Sequence, residues 1–125
     1  MTDPGPRAPL DPEERGRLDV AERVVERIAT IAAGEVAGVI GTGSAFEGVL
    51  GRRYPKAAAK VAGQHATVSL DLAVTWPMPL ATTAATVRDR VRSKLHELVG
   101  LEVDSVDVTI AKVVRETRPT ERRPQ

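Results

Sequence analysis

The stretch from residue 66 to residue 114 most constrains the fold, because it carries two hydrophobic periods in succession. Its first part alternates strictly, with the inward residues being Val68, Leu70, Leu72, Val74 and Trp76. Polar or small residues occupy the positions between them. Strict alternation of this length is typical of a strand with one face on a core and one polar face. The pattern therefore predicts a strand over 66–76, with Trp76 packed at its end.

The same stretch then changes to a helical period and returns to a strand. Pro77 ends the strand, and Pro79 can serve as the first residue of a helix. Spacings of three and four predict one buried stripe, made of Leu80, Ala84, Val87, Val91, Leu95 and Leu98. Gly100 is placed to end this helix. Alternation resumes at 106–110 and predicts a last strand there. If the two strands share one sheet, we expect them to be parallel and joined by a right-handed crossover.

A first helix is predicted to begin near Asp19. Asp19 and Glu22 have the spacing of a capping box, and Gly34 is placed to end the helix. The predicted buried stripe is Val20, Val24, Ile28 and Ile31. The side predicted to face solvent carries Glu22, Arg23, Glu26 and Arg27.

The middle of the chain is less regular. We expect a short strand over 37–42, a glycine-rich loop up to Pro55, and a strand over 56–62 closed by a turn at 63–65. The resulting fold class is α+β, a single domain of order α-β-β-β-α-β. Its small mixed sheet should carry both helices on one face. Residues 1–18 are predicted to be a disordered proline-rich leader, 19–114 the domain, and 115–125 a flexible basic tail.

The sequence lacks the residue types and spacings that are typical of catalytic sites, so we do not expect an enzyme. The chain has no cysteine, so thiol catalysis, disulfides and cysteine-ligated zinc are excluded. Neither His65 nor His96 has a carboxylate at metal-ligand spacing. A small enzyme would need a pocket that gathers Asp71, His65 or His96 with another ionisable group. We therefore expect no catalytic residues, no metal site and no cofactor.

Nucleotide binding is also not indicated. The run Gly41-Thr42-Gly43 resembles the start of a dinucleotide fingerprint, but Phe46 stands where the third glycine belongs. The formal net charge is +1, and residues 19–114 carry eleven lysines or arginines against eleven acids. Only 2% of residues are aromatic, too few for a base-stacking platform. Binding to RNA or DNA is accordingly not expected as the main role.

The N-terminal residues have no apolar segment typical of a signal peptide. No apolar run approaches the roughly 20 residues that span a bilayer. The expected location is cytoplasmic, and any association with the membrane should be peripheral or through a partner.

The best candidates for partner contact are four arginines and one tyrosine. Arg52, Arg53 and Tyr54 lie in the glycine-rich loop, and Arg88 and Arg92 lie on the outer face of the second helix. Cationic groups in this arrangement suit an acidic partner, an anionic surface or a phosphate backbone. The alternative function is therefore an RNA- or DNA-binding module that uses the cationic face of helix 80–98 and the arginine-rich C-terminal tail.

Four segments resemble the alkaline-shock-protein, or envelope stress response, family. They are IATIAAGEVAGV at 28–39, VSLDLAVTW at 68–76, TVRDRVRSKLHELVGLEV at 86–103 and VDVTIAKV at 106–113. Trp76-Pro77 departs from the aromatic-glycine pair of many members. The resemblance implies a small cytoplasmic stress protein without catalytic residues, in a family that includes self-assembling members and members held at the membrane by an anchored partner. It thus implies an interaction or scaffold role, with a protein partner and self-association, and transfers no site residue.

Overall fold

The computed structural model describes residues 11–41 and 54–115. Its elements are α1 (Pro12–Gly34), β1 (Lys56–Ala62), β2 (His65–Trp76), α2 (Leu80–Val99) and β3 (Glu102–Arg115). The strands form one sheet in the order β1-β2-β3. β1 pairs antiparallel with β2, and β3 pairs parallel with β2. The predicted α+β domain with a mixed sheet is confirmed, as is the parallel pairing of the last strand.

The first helix begins at Pro12 and not near Asp19, so the predicted leader is wrong for residues 12–18. Asp11 caps the helix, since its side chain accepts a 2.8 Å hydrogen bond from the backbone N–H of Glu14. Pro12 fits the first turn, where its missing N–H would have no helical partner. Arg115, predicted as the first residue of the tail, is the last residue of β3. Residues 1–10 and 116–125 lie outside the described residues, so the rest of the leader and of the tail stays a prediction.

The buried face of α1 also differs from the predicted stripe. The residues against the sheet are Val25, Ala29, Ala32 and Ala33. Val20, Val24 and Ile31 are instead 58%, 42% and 56% exposed. Small alanines allow a helix to lie close to a sheet, so they occupy the contact face even though the larger residues beside them are more hydrophobic.

The hairpin confirms the predicted strand over 56–62. β1 and β2 meet at a turn whose Gly63 has φ of 60°, a conformation that glycine adopts without strain. The strand predicted over 37–42 is present as an isolated antiparallel bridge between Val39 and Val74. Two backbone hydrogen bonds of 2.9 Å flank it, from Ile40 N–H to the Ala73 carbonyl and from Thr75 N–H to the Gly38 carbonyl. With this bridge as the first strand, the order α-β-β-β-α-β holds.

The second helix packs beside α1 on the same face of the sheet. Val87, Val91 and Leu95 are fully buried, as predicted. The prediction that Leu98, the last member of the stripe, is buried is wrong, because Leu98 is 61% exposed. Gly100 ends the helix with φ of 69°, and its N–H donates to the His96 carbonyl at 3.0 Å. One continuous apolar core therefore lies between the two helices and the sheet.

Candidate interaction surfaces

The predicted contact residues fall in separate places. Arg88 and Arg92 lie one turn apart on α2. Tyr54 precedes β1, whereas among the described elements α2 contacts α1 and β3 and does not contact β1. Arg52 and Arg53 lie outside the described residues. The role of these five residues in partner binding stays a prediction.

The cationic face of α2 is partly neutralised within the chain. Arg90 forms a 3.3 Å ion pair with Glu35 at the end of α1. Lys94 lies 4.0 Å from Glu97. Arg92 donates from Nε to the Val103 carbonyl at 3.4 Å. Exposed contacts of this kind stabilise a fold by less than about 1 kcal/mol each, and the two glutamate contacts, of Arg90 and Lys94, balance part of the local charge. The face is consequently not a uniform basic surface.

Two exposed places in the described part combine a histidine with other ionisable groups. His65 Nδ1 lies 2.9 Å from Asp104 Oδ1, and both side chains are more than half exposed. The hydrogen bond and negative charge of Asp104 raise the pKa of His65 above its ordinary value. His96 borders a shallow surface depression with Arg92 and Glu102, and Asp71 lies in the middle of β2. Within residues 11–41 and 54–115, no cluster of three potential metal ligands is found.

A groove between the helices exposes two large apolar side chains, Ile31 and Leu98. We call it the helix groove, with a volume of about 210 Å³, and its lining residues are Ile28, Ile31, Ala32, Glu35, Lys94 and Leu98. Ile31 and Leu98 are the exposed apolar residues of its lining, while Glu35 and Lys94 supply charges of both signs. Sequence reasoning missed this groove because it assigned Ile31 and Leu98 to buried stripes. The available signal was that apolar residues cover two adjacent faces of α1, more than one contact with a sheet requires.

The outer edge of β1 is closed by two glutamates of α1. Glu26 Oε2 accepts a hydrogen bond from the Ala59 N–H, and Glu22 Oε2 accepts one from the Val61 N–H, each at 3.1 Å. Residues four apart on a helix rise about 6 Å. Residues two apart on a strand advance about 6.6 Å, so the two carboxylates match two successive edge donors. The prediction that Glu22 and Glu26 only face solvent is wrong.

The opposite edge of the sheet is different. β3 has 14 residues, and its outer side has no neighbouring strand among the described elements. Arg92 contacts the carbonyl of Val103 near its beginning. From Ser105 to Arg115, no side chain of the described part hydrogen-bonds to the strand's backbone. An edge of this length is open to pairing with another strand.

These surfaces belong to a chain that matches a known family over most of its length. The model of the alkaline shock protein 23 family, described as having a cell envelope-related function, matches residues 11–115. The chain belongs to this family. The family resemblance of the four segments is thereby confirmed. No helix in the described part of this family member is both long enough and apolar enough to cross a membrane.

Individual proteins with a similar sequence or structure share at most 26% identity with this alkaline shock protein 23 family member in the comparisons that follow. An uncharacterised protein of Bacillus subtilis (strain 168), YqhY, is 26% identical over 112 residues, which cover 85% of this chain and 83% of YqhY. A solved variant of MamM CTD is 17% identical, with a TM-score of 0.45, over 76% of this chain and 95% of that one. A nickel form of another MamM CTD variant is 18% identical, with a TM-score of 0.44, over 77% and 98%. The likeness to these structures is too distant to carry an argument about function.

Proposed function

We propose that this protein is a non-catalytic interaction or scaffold module of the envelope stress response, held at the inner face of the cell membrane through a protein partner. The observation that carries the proposal is the helix groove, in a member of a family with a cell envelope-related function. Ile31 and Leu98 present apolar surface that the fold itself does not cover. Each square ångström of apolar surface removed from water contributes about 25 cal/mol, so a partner that covers the groove gains affinity.

The charges around the groove favour a protein partner over a lipid surface. Binding to anionic lipid requires a surplus of lysine and arginine on the contacting face. Here Arg90 is paired with Glu35, and Lys94 is near Glu97. A rim with both signs of charge instead suits a polypeptide that carries an apolar side chain flanked by complementary charges. We therefore assign the groove to an apolar segment of a membrane-anchored protein.

An RNA- or DNA-binding role has no comparable support. Two of the four cations on α2, Arg90 and Lys94, lie beside glutamates of the chain itself. Phosphate backbones are bound by a net surplus of free cations. The apolar groove would have no part in such a role.

Binding to inverted membrane vesicles tests the proposal, because their cytoplasmic face points outward. The purified protein should cosediment with vesicles from the native cell. Binding should disappear when the vesicles are first treated with protease, and liposomes made from the extracted lipids should not bind the protein. Equal binding to protein-free liposomes, or no binding to native vesicles, would contradict a protein partner at the membrane.

A pair of variants locates the contact. Leu98→Asp should weaken vesicle binding at least tenfold, because it places a charge on the apolar lining of the groove. Val99→Asp is the matched control, since Val99 is also an exposed apolar residue of α2 but does not line the groove. If both variants bind equally well, the groove is not the contact surface.

A further inference from the structure

We propose that two copies of this chain pair antiparallel along the outer edge of β3, with Thr109 on the twofold axis, to form a continuous six-stranded sheet. The inference names the surface and the partner for the self-association expected of a scaffold module, and in that respect it rests on the proposed function. Its support comes from the contrast between the two sheet edges, the charge pattern of β3 and the exposure of one apolar residue.

The two edges of the sheet are treated differently by the fold. At β1, Glu22 and Glu26 accept hydrogen bonds from the outward N–H groups, which prevents another strand from using those donors. β3 is twice as long, with 14 residues against 7, and its outer edge from residue 105 onward has no such cover within the described part. A short edge strand, or one whose outward backbone groups are covered, is protected against pairing with a further strand. The contrast therefore identifies β3 as the edge available for pairing.

The open-face residues of β3 are self-complementary. This face is polar and lies opposite the helices, and pairing with β2 places on it Ser105, Asp107, Thr109, Lys112 and Val114. An irregularity in register at Ala111 sets Lys112 on the same face as Asp107. Two copies are then paired antiparallel about Thr109, and Ala111 is left out of the pairing, as it is against β2. In this register, Asp107 of each copy lies opposite Lys112 of the other. Opposite charges directly across two strands stabilise the pair, and twofold symmetry makes the contact twice.

The other face of β3 matches as well. The residues on the helix side of the strand include Val106, Val108, Ile110 and Val113. The same register places Val108 opposite Ile110 and Val106 opposite Val113. Val113 is 48% exposed although it lies on the helix side of the sheet. A second copy would cover this apolar side chain, so apolar contacts and charge contacts select one and the same register.

A single cysteine tests the register directly, because the chain contains no cysteine of its own. Directly opposed residues of an antiparallel pair have Cα atoms about 4.5–5.5 Å apart. This is within the range that a disulfide spans. Thr109→Cys should therefore give a covalent dimer under mild oxidation. Ser69→Cys lies on the same polar face but in the central strand, and it should remain monomeric on a denaturing gel.

Charge reversal tests the complementarity. Asp107→Lys alone, or Lys112→Asp alone, places like charges opposite each other twice, and should weaken the dimer measured by sedimentation velocity about tenfold or more. The combination of both substitutions restores opposite charges and should recover the dimer. Lys60→Asp, an exposed substitution on β1, is the control and should leave the dissociation constant unchanged.

The outcomes separate this inference from the proposed function. A wild-type protein that stays monomeric at every concentration would overturn the β3 dimer. A dimer that withstands both single charge reversals would overturn it as well. Equal crosslinking of Thr109→Cys and Ser69→Cys would show random collision and contradict the register. Vesicle binding by Asp107→Lys reports on the partner alone, so the proposed function can hold or fail independently of the dimer.

Discussion

Removing the carboxylate of Glu26 should destabilise the edge of the sheet. In Glu26→Ala, the N–H of Ala59 loses its 3.1 Å acceptor. A hydrogen bond to a charged group contributes about 1.5–3 kcal/mol when it is buried. This one is only partly buried, and water can replace part of it, so the expected loss in the free energy of unfolding is about 1–2 kcal/mol. For a domain of this size, that loss lowers Tm by roughly 5–10 °C.

Urea denaturation of three variants measures the effect. Glu26→Gln keeps an uncharged oxygen acceptor at the same place, so we expect it to lose about half as much as Glu26→Ala. Glu97→Ala is the control, because Glu97 is an exposed helical glutamate whose neighbour is Lys94 at 4.0 Å. Its loss should stay below about 0.5 kcal/mol.

Hydrogen exchange shows where stability is lost. In Glu26→Ala, the amide of Ala59 should exchange faster relative to that of Leu70 in the central strand, because local opening of the β1 edge becomes easier. The reasoning would be refuted if Glu26→Ala lost no more stability than Glu97→Ala. Unchanged exchange at Ala59 would refute it equally.

Three further predictions follow from the described residues. Gly100→Ala should lower the free energy of unfolding, measured by urea denaturation, by about 1 kcal/mol, because φ of 69° strains a side chain at this position. Gly16→Ala, in the open interior of α1, should raise it by up to about 1 kcal/mol. The same sign for both substitutions would contradict the assigned backbone conformations. Asp104→Asn should lower the pKa of His65 in an NMR titration, and an unchanged pKa would rule out the Asp104 contact. Because the pKa of His65 is raised in the folded state, the pair should stabilise the protein fully at a pH below the unfolded pKa of histidine. This stabilisation should be lost as the pH rises through the higher folded pKa. A titration with mixed RNA at low salt should give a flat signal, because two of the four cations of α2 are paired with glutamates and the face has no large positive surplus. Salt-dependent binding would instead support the nucleic-acid alternative.

The strands were predictable because local patterns determine them. The alternation over 66–76 and the turn at Gly63 depend on neighbouring residues only, and β1 follows the predicted bounds from Lys56 to Ala62. The prediction that Trp76 packs at the end of its strand is wrong, because Trp76 is 48% exposed. Gly100 ended α2 as predicted, since a left-handed cap is also a local requirement. The parallel partner of β2 followed from the strand–helix–strand connection.

The surfaces were not predictable in the same way, because they depend on how the helices are placed. Counting large apolar residues selected Val24 and Ile31 for the buried face of α1, whereas the sheet contacts the alanines beside them. That single difference in rotation exposes the helix groove. It also brings Glu22 and Glu26 to the edge of β1, a contact that no sequence spacing specifies without the position of the strand.

Site-specific photo-crosslinking in the native cell tests the central claim most directly. A photoreactive residue at Leu98 should give one discrete crosslinked product with a protein that fractionates with the membrane, because Leu98 is an exposed apolar residue that lines the helix groove. The same residue at Thr67, on the polar face of the sheet, should not give that product. A membrane-protein product of equal yield at both positions, or none at Leu98, would contradict an interaction module that binds its partner through the helix groove.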